Sequence, residues 1–131
     1  MSNVLFVCVR NAGRSQMAEA LFERAAAGRH EARSAGSDPA ERVHPEAVTA
    51  MQELGVDLGE RRPRRLDEAD LAWADVVVTI GRGGVCPHLP VRTLEWDVRD
   101  PAGLPPGAVR AVRDELAARV EALVAELDAE A

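Results

Sequence analysis

The chain has 131 residues, 47% apolar and 29% charged, with a formal net charge of −6. That length suits one domain over residues 1–131 with a real core. The acidic balance argues against nucleic acid as a partner, which calls for a basic face, and no apolar run is long enough for a membrane span.

The first residues hold one short apolar run with no basic stretch ahead of it, so no signal peptide is expected and the cytoplasm is the expected compartment. The two cysteines, Cys8 and Cys86, do not make a disulfide framework and read as free thiols in a reducing compartment.

Residues 3–9, NVLFVCV, form a nearly continuous apolar, β-branched run. This is the pattern of a strand buried on both faces. Asn11, Ala12 and Gly13 break it. A helical pattern follows over residues 15–27, with Met17, Ala20, Leu21 and Arg24 at helical spacing, and Gly28 ends it.

Residues 31–35 predict a second strand, and residues 37–43, which include Pro39, a loop. Pro45 opens a helix marked by Val48, Met51 and Leu54. Residues 59–65 form a charged connector with Arg61, Arg62, Arg64 and Arg65 around Pro63; the ordinary use of such a cluster is a solvated surface. A short helix is expected over 66–74, with Leu71 and Trp73 as apolar contacts.

Residues 75–80, DVVVTI, repeat the buried-strand signal, and glycines at 81, 83 and 84 follow. A fourth strand is expected over 91–94. The last helix carries Val109, Val112, Leu116, Val120, Leu123 and Leu127 at spacings of three and four. Strands alternating with helices predict an α/β three-layer sandwich: a four-stranded parallel sheet of flavodoxin-like order 2-1-3-4, with ligands bound beyond the carboxyl ends of the strands. No internal repeat or second domain is visible.

Residues 8–15, CVRNAGRS, have the form C-x5-R-S between a buried strand and a helix. A helix start offers unpaired N–H groups and the positive end of a dipole. A loop curled there turns several amides onto one tetrahedral anion. The expected oxyanion cradle is Val9, Arg10, Asn11, Ala12, Gly13 and Arg14. Arg14 adds a two-pronged donor, and Asn11 and Gly13 tolerate the positive φ of a tight curl. Free thiols titrate near about 8.5, and cations or helix N-termini lower that to roughly 3.5–7.5. Cys8 is therefore the expected nucleophile, with Ser15 as a hydrogen-bonding partner of its thiolate. The bland alternative is a buried core thiol at a strand end.

These residues resemble the low-molecular-weight protein tyrosine phosphatase superfamily over essentially the whole chain, and within it the arsenate reductases. Residues 11–20 (NAGRSQMAEA), 34–36 (SAG), 44–47 (HPEA), 77–79 (VVT), Cys86-Pro87 and 100–103 (DPAG) carry the likeness. The resemblance implies Cys8 as nucleophile, Arg14 and the loop amides as anion ligands, Ser15 as thiolate support, Asn11 as the shaper of the loop, and Asp100 as general acid. Protonation of a leaving oxygen by a carboxylic acid is sound chemistry, although Asp before Pro is also a common turn residue.

Two departures from the family stand out. Thioredoxin-coupled reductases of this fold carry two further cysteines between the third strand and the Cys-Pro pair; Gly81 stands where the first is expected, so a three-cysteine relay is impossible. Residues 81–88 (GRGGVCPH) are closer to reductases that use a small thiol, mycothiol with mycoredoxin. Some relatives also hold potassium with residues matching Asn11, Glu19 and Ser34 and a further Asp. Arg64 stands in place of that Asp, so no metal and no cofactor are expected.

The leading expectation is arsenate reduction through a Cys8 adduct, resolved by mycothiol/mycoredoxin, by a thioredoxin-type protein or by Cys86 as a second thiol. A Cys8–Cys86 disulfide requires Cα atoms within about 7 Å. The alternatives are phosphotyrosine hydrolysis through a phosphocysteine, with weak phosphatase activity expected in any case, and a non-enzymatic thiol sensor. The expected partners are an arsenate or phosphate-like oxyanion and a thiol reductant, with the chain a monomer or weak dimer. His30, His44 and His88 show no metal-ligand spacing with the cysteines. Trp73 and Trp96 read as packing residues, with Trp96 near enough to Asp100 to border a cleft.

Overall fold

A computed structural model describes residues 1–81 and 91–130; Cys86, Pro87 and His88 lie outside the described residues. The element order is β1 (Asn3–Cys8), α1 (Arg14–Ala26), β2 (Glu31–Gly36), α2 (Pro45–Gln52), α3 (Glu68–Trp73), β3 (Val76–Ile80), β4 (Arg92–Trp96) and α4 (Pro106–Glu130). The sheet has the order β2-β1-β3-β4, and every pairing is parallel, as the alternation of strand and helix signals predicts.

Side chains alternate across a strand, and that alternation divides the core in two. Val4, Phe6 and Cys8 of β1, with Val76, Val78 and Ile80 of β3, face α1, α2 and α4. Leu5, Val7 and Val77 face the opposite side, where Leu66, Leu71 and Trp73 around α3 cover them. Burial on both faces is what makes β1 and β3 read as unbroken apolar runs. The same period-2 count puts the Cys8 side chain on the side from which α1 begins.

Edge strand β4 differs from the expected 91–94. It runs to Trp96, which pairs with Ile80 and packs on Phe6 with ring centroids 5.8 Å apart. Its remaining residues are exposed or half-buried, so its polar alternation hid the strand's length. No described helix is long and apolar enough to cross a membrane.

Helix ends are secured in different ways. Asp67 and Asp70 form a reciprocal capping box on α3: the Asp70 amide donates to Asp67 Oδ1 at 2.8 Å, and the Asp67 amide donates back to Asp70 Oδ2 at 3.3 Å. Helix α1 closes through Ala27 in the left-handed region, whose amide donates to the Glu23 carbonyl. Its N-terminus has no side-chain cap, so its first amides stay free for other acceptors.

Near the chain ends, His30 is 5% exposed and ties β1 to α4. The Ser2 amide donates to Nδ1 at 3.0 Å, so Nε2 carries the ring proton and donates to Asp128 at 2.8 Å. Arg29 grips the same carboxylate with Nε and Nη2 at 3.2 and 3.1 Å.

Candidate active site

The loop between β1 and α1 is held from outside by its carbonyls. Val9, Arg10 and Ala12 carbonyls accept from the Asp38, Ala40 and His44 amides at 2.9, 2.9 and 2.8 Å. In a planar trans peptide the next residue's N–H points the opposite way. The amides of Arg10, Asn11 and Gly13 are therefore turned away from the outer loop and toward the side of Cys8. Asn11 shows this directly: its N–H donates to Cys8 Sγ at 3.2 Å.

Two backbone features make the curl possible. Asn11 sits at φ +50°, a conformation Asn tolerates better than most residues. Gly36, opposite Cys8 in the β1–β2 register, lies so close that a β-carbon there would fall 2.5 Å from the Val9 carbonyl oxygen. Gly13 departs from the sequence expectation: its φ is −139°, so only Asn11 supplies the left-handed turn.

Cys8 is 3% exposed. Ser15 Oγ lies 2.9 Å from its sulfur, and the Asn11 side-chain amide donates to Ser15 Oγ at 2.7 Å. Asn11, Ala12 and Ser15 are fully buried. Val9 is 38% exposed, and Arg10 points outward to Asp38 at 2.8 Å, so these two bear on the site through their backbone amides.

Arg14 heads α1 with its side chain 14% exposed. Its Nη1 donates to the Val98 carbonyl at 2.8 Å, and Nη2 lies 3.9 Å from Asp100 Oδ2. Gly81, at φ +103°, lies against the same guanidinium. Arg14 and Asp100 line one cleft of about 490 Å³ with Asp97, Val98 and Arg99. Asp100 also accepts from the Ala102 amide at 3.0 Å, which fixes the turn that presents it. Strand β1 thus delivers the thiol, α1 the guanidinium and the segment after β4 the carboxyl, all at the carboxyl edge of the sheet. Cys86 falls outside the described residues.

The connector is solvated as its composition suggests, with Arg62, Arg64 and Arg65 exposed, yet two of its arginines are paired. Arg61 pairs with Glu19 and Glu23 at 3.2 and 3.0 Å. Arg64 donates to Asp70 and to the Ser34 carbonyl, each at 2.8 Å, and its amide donates to Asn11 Oδ1 at 2.9 Å. Ser34 donates to Glu19. Asn11 Oδ1 accepts from Gln16 and Arg64, Glu19 accepts from Ser34 and faces Arg61, and Arg64 occupies the Ser34 carbonyl, so cationic and N–H groups of this chain already stand where a further cation would bind. Burial pushes the Glu19 carboxyl above the usual carboxylate range, against the pull of Ser34 and Arg61.

The sequence assigns no site role to Gln16, Gly36, the outer loop 38–44 or the Arg64 amide; Gln16, Gly36 and His44 are marked only by their places in the segments NAGRSQMAEA, SAG and HPEA.

The chain is similar to proteins known as arsenate reductases. The chain is 34% identical to a glutaredoxin arsenate reductase of Synechocystis, over 97% of this chain and 99% of that protein. It is 37% identical to an arsenate reductase of Brevibacillus brevis, over 90% of each. An arsenate reductase structure from Archaeoglobus fulgidus superposes with a TM-score of 0.82 at 39% identity, covering 93% of this chain and 98% of that one. Residues 3–131 match the description of the low molecular weight phosphotyrosine protein phosphatases, and the chain belongs to that family.

Proposed function

We propose that the chain is an arsenate reductase working through Cys8. Arsenate lies in the cradle of loop amides and Arg14, and the Cys8 thiolate attacks arsenic. One As–O bond breaks, and the departing hydroxyl takes a proton from Asp100 and leaves as water. A thiolate of the reductant then attacks Cys8 sulfur. A disulfide forms, the S–As bonding pair passes to arsenic, and arsenite is released after protonation. Two thiols are oxidised to one disulfide while As(V) becomes As(III).

The observation that carries arsenate over an aryl phosphate is the lack of an aromatic wall. The chain has two Phe, two Trp and no Tyr. Phe6 and Phe22 are fully buried, Trp96 is 7% exposed, and Trp73 lies on the α3 side under Arg33. Ala102 and Gly103 follow Asp100-Pro101, so among the described residues no Phe, Tyr or Trp ring is placed to flank an aryl leaving group. Arsenate needs none. Weak phosphatase turnover is expected, since loop, thiol and acid are shared with that chemistry.

The reductant is a thiol that reaches Cys8 from outside, mycothiol with mycoredoxin or a thioredoxin-type protein, or else Cys86. This exchange requires a reducing compartment, and the cytoplasm meets that need.

Arsenate-dependent NADPH oxidation, run with each coupler beside hydrolysis of an aryl phosphate, tests the reading. Turnover with arsenate that is lost in Cys8→Ser is expected. Aryl phosphate turnover with no arsenate-driven turnover by any coupler would overturn it. Retained turnover in Cys86→Ser assigns the resolving thiol to the coupler.

A further inference from the structure

Two backbone groups, far from the catalytic loop in sequence, fix the polarity of the side chains around Cys8. The Arg62 carbonyl can only accept, and it faces Gln16 Nε2 at 3.2 Å. The Arg64 amide can only donate, and it faces Asn11 Oδ1 at 2.9 Å. Gln16 Nε2 supplies the second donor to that oxygen at 3.2 Å. With Oδ1 held by two donors, the other end of the Asn11 amide must be the NH2 group that faces Ser15 Oγ at 2.7 Å. Ser15 accepts that bond, so its own single proton is directed to Cys8 Sγ, 2.9 Å away.

We propose that Gln16 is a positioning residue: by bonding the Arg62 carbonyl and Asn11 Oδ1 it fixes the Asn11 amide, which makes Ser15 a hydrogen-bond donor to the Cys8 thiolate. The inference rests on the assignment of Cys8 as a thiolate nucleophile. Gln16 is 2% exposed and touches neither sulfur nor anion; it acts through Asn11 and Ser15. Reversing Asn11 would set a donor against the Arg64 amide, and reversing Gln16 would set an acceptor against the Arg62 carbonyl, so the chain holds as a unit. It also makes the connector part of the site: the placing of residues 62–64 decides which way the Ser15 proton points.

The test is the pH dependence of Cys8 alkylation by iodoacetamide, followed on the Cys8 peptide by mass spectrometry. Gln16→Met keeps length and bulk but removes both donated bonds. Its alkylation curve is expected to move to higher pH, with a rate at fixed pH below the midpoint about three- to tenfold lower. In a Ser15→Ala background the same substitution is expected to add nothing, because its effect passes through that hydroxyl. An unmoved curve in Gln16→Met overturns the inference, and so does an equal shift in both backgrounds, which a merely structural role would give. Wild-type Cys8 alkylating with the pH dependence of free cysteine overturns the proposed function as well, whereas a displaced wild-type curve that Gln16→Met leaves in place overturns the inference alone. Should the variant not fold, the wild-type protein still decides: the side-chain amide protons of Asn11 and Gln16 are expected to exchange slowly by NMR, and fast exchange overturns the assignment.

Discussion

Gly81 leaves the Arg14 guanidinium its place: a β-carbon at 81 would fall 2.6 Å from Arg14 Nη1, and the glycine holds φ +103°. The colliding atoms are the free end of a long side chain, so Gly81→Ala is resolved by Arg14 swinging away from the Val98 carbonyl. The left-handed backbone itself costs about 1–2 kcal/mol, and most of the damage falls on the anion. Phosphate or arsenate affinity is expected to fall about tenfold or more, with a modest loss of melting temperature. Calorimetric titration of phosphate together with a melting curve checks this; an unchanged affinity would show that Arg14 does not depend on that space.

Asp100 is expected to act in the chemical step and not in anion binding. Asp100→Asn retains an acceptor for the Ala102 amide and loses the transferable proton. The single-turnover rate of adduct formation is expected to fall by about 10²–10⁴, with anion affinity held because the loop amides and Arg14 are untouched. Rapid-quench kinetics with arsenate separate the two quantities.

The parts of this protein legible in sequence are those whose signal is local. The two-sided burial of β1 and β3 shows as unbroken apolar runs, and the C-x5-R-S loop shows as a strand end followed by a helix start. What sequence did not show is held by backbone groups distant along the chain. The Asp38, Ala40 and His44 amides pull the loop carbonyls outward, and the Arg64 amide caps Asn11 across 53 positions. Any residue but proline carries such an N–H, so composition is silent about it. Arg61 and Arg64 of the solvated connector still find partners that the sequence does not show, because the carboxylates they meet, Glu19, Glu23 and Asp70, come together only in the fold.

Stability should depend on pH in two opposing ways. Arg110 and Arg113 hold the Glu53 carboxyl below its ordinary range, and Arg29 with His30 does the same to Asp128. A depressed acid stabilises the fold above its unfolded value, about 3.9–4.3 for these groups, and that contribution is lost as pH falls through the folded value. Glu19 is raised by burial, so its contribution is present below the unfolded value and lost as pH rises through the folded one. Melting temperatures from pH 3 to 7 are expected to rise with pH in the wild type, less steeply in Asp128→Asn and Glu53→Gln. Glu19→Gln is expected to steepen the rise. A wild-type curve flat across this range would contradict the assignment of these pairs.

Gly36 and Gly107 form a matched pair for the last prediction. A β-carbon at Gly36 meets the Val9 carbonyl oxygen at 2.5 Å and Asn11 N and Cβ at 3.0 Å. These are mostly backbone atoms of the anion loop, pinned outward by Asp38 and inward by Cys8. The Gly36 backbone is fixed as well, donating to the Arg64 carbonyl at 2.8 Å and accepting from Leu66 at 2.9 Å. Neither side can give without breaking the curl, so Gly36→Ala is expected to cost about 1–3 kcal/mol and to remove most arsenate turnover. Gly107, in the first turn of α4, has nothing within 4 Å of its β-carbon position; Gly107→Ala is expected to leave turnover unchanged and add up to about 1 kcal/mol of stability through helix propensity. Chemical denaturation and turnover of the two variants give the comparison. Retained turnover in Gly36→Ala would mean that the loop tolerates displacement, and the close approach of β2 would then have no part in shaping the oxyanion cradle.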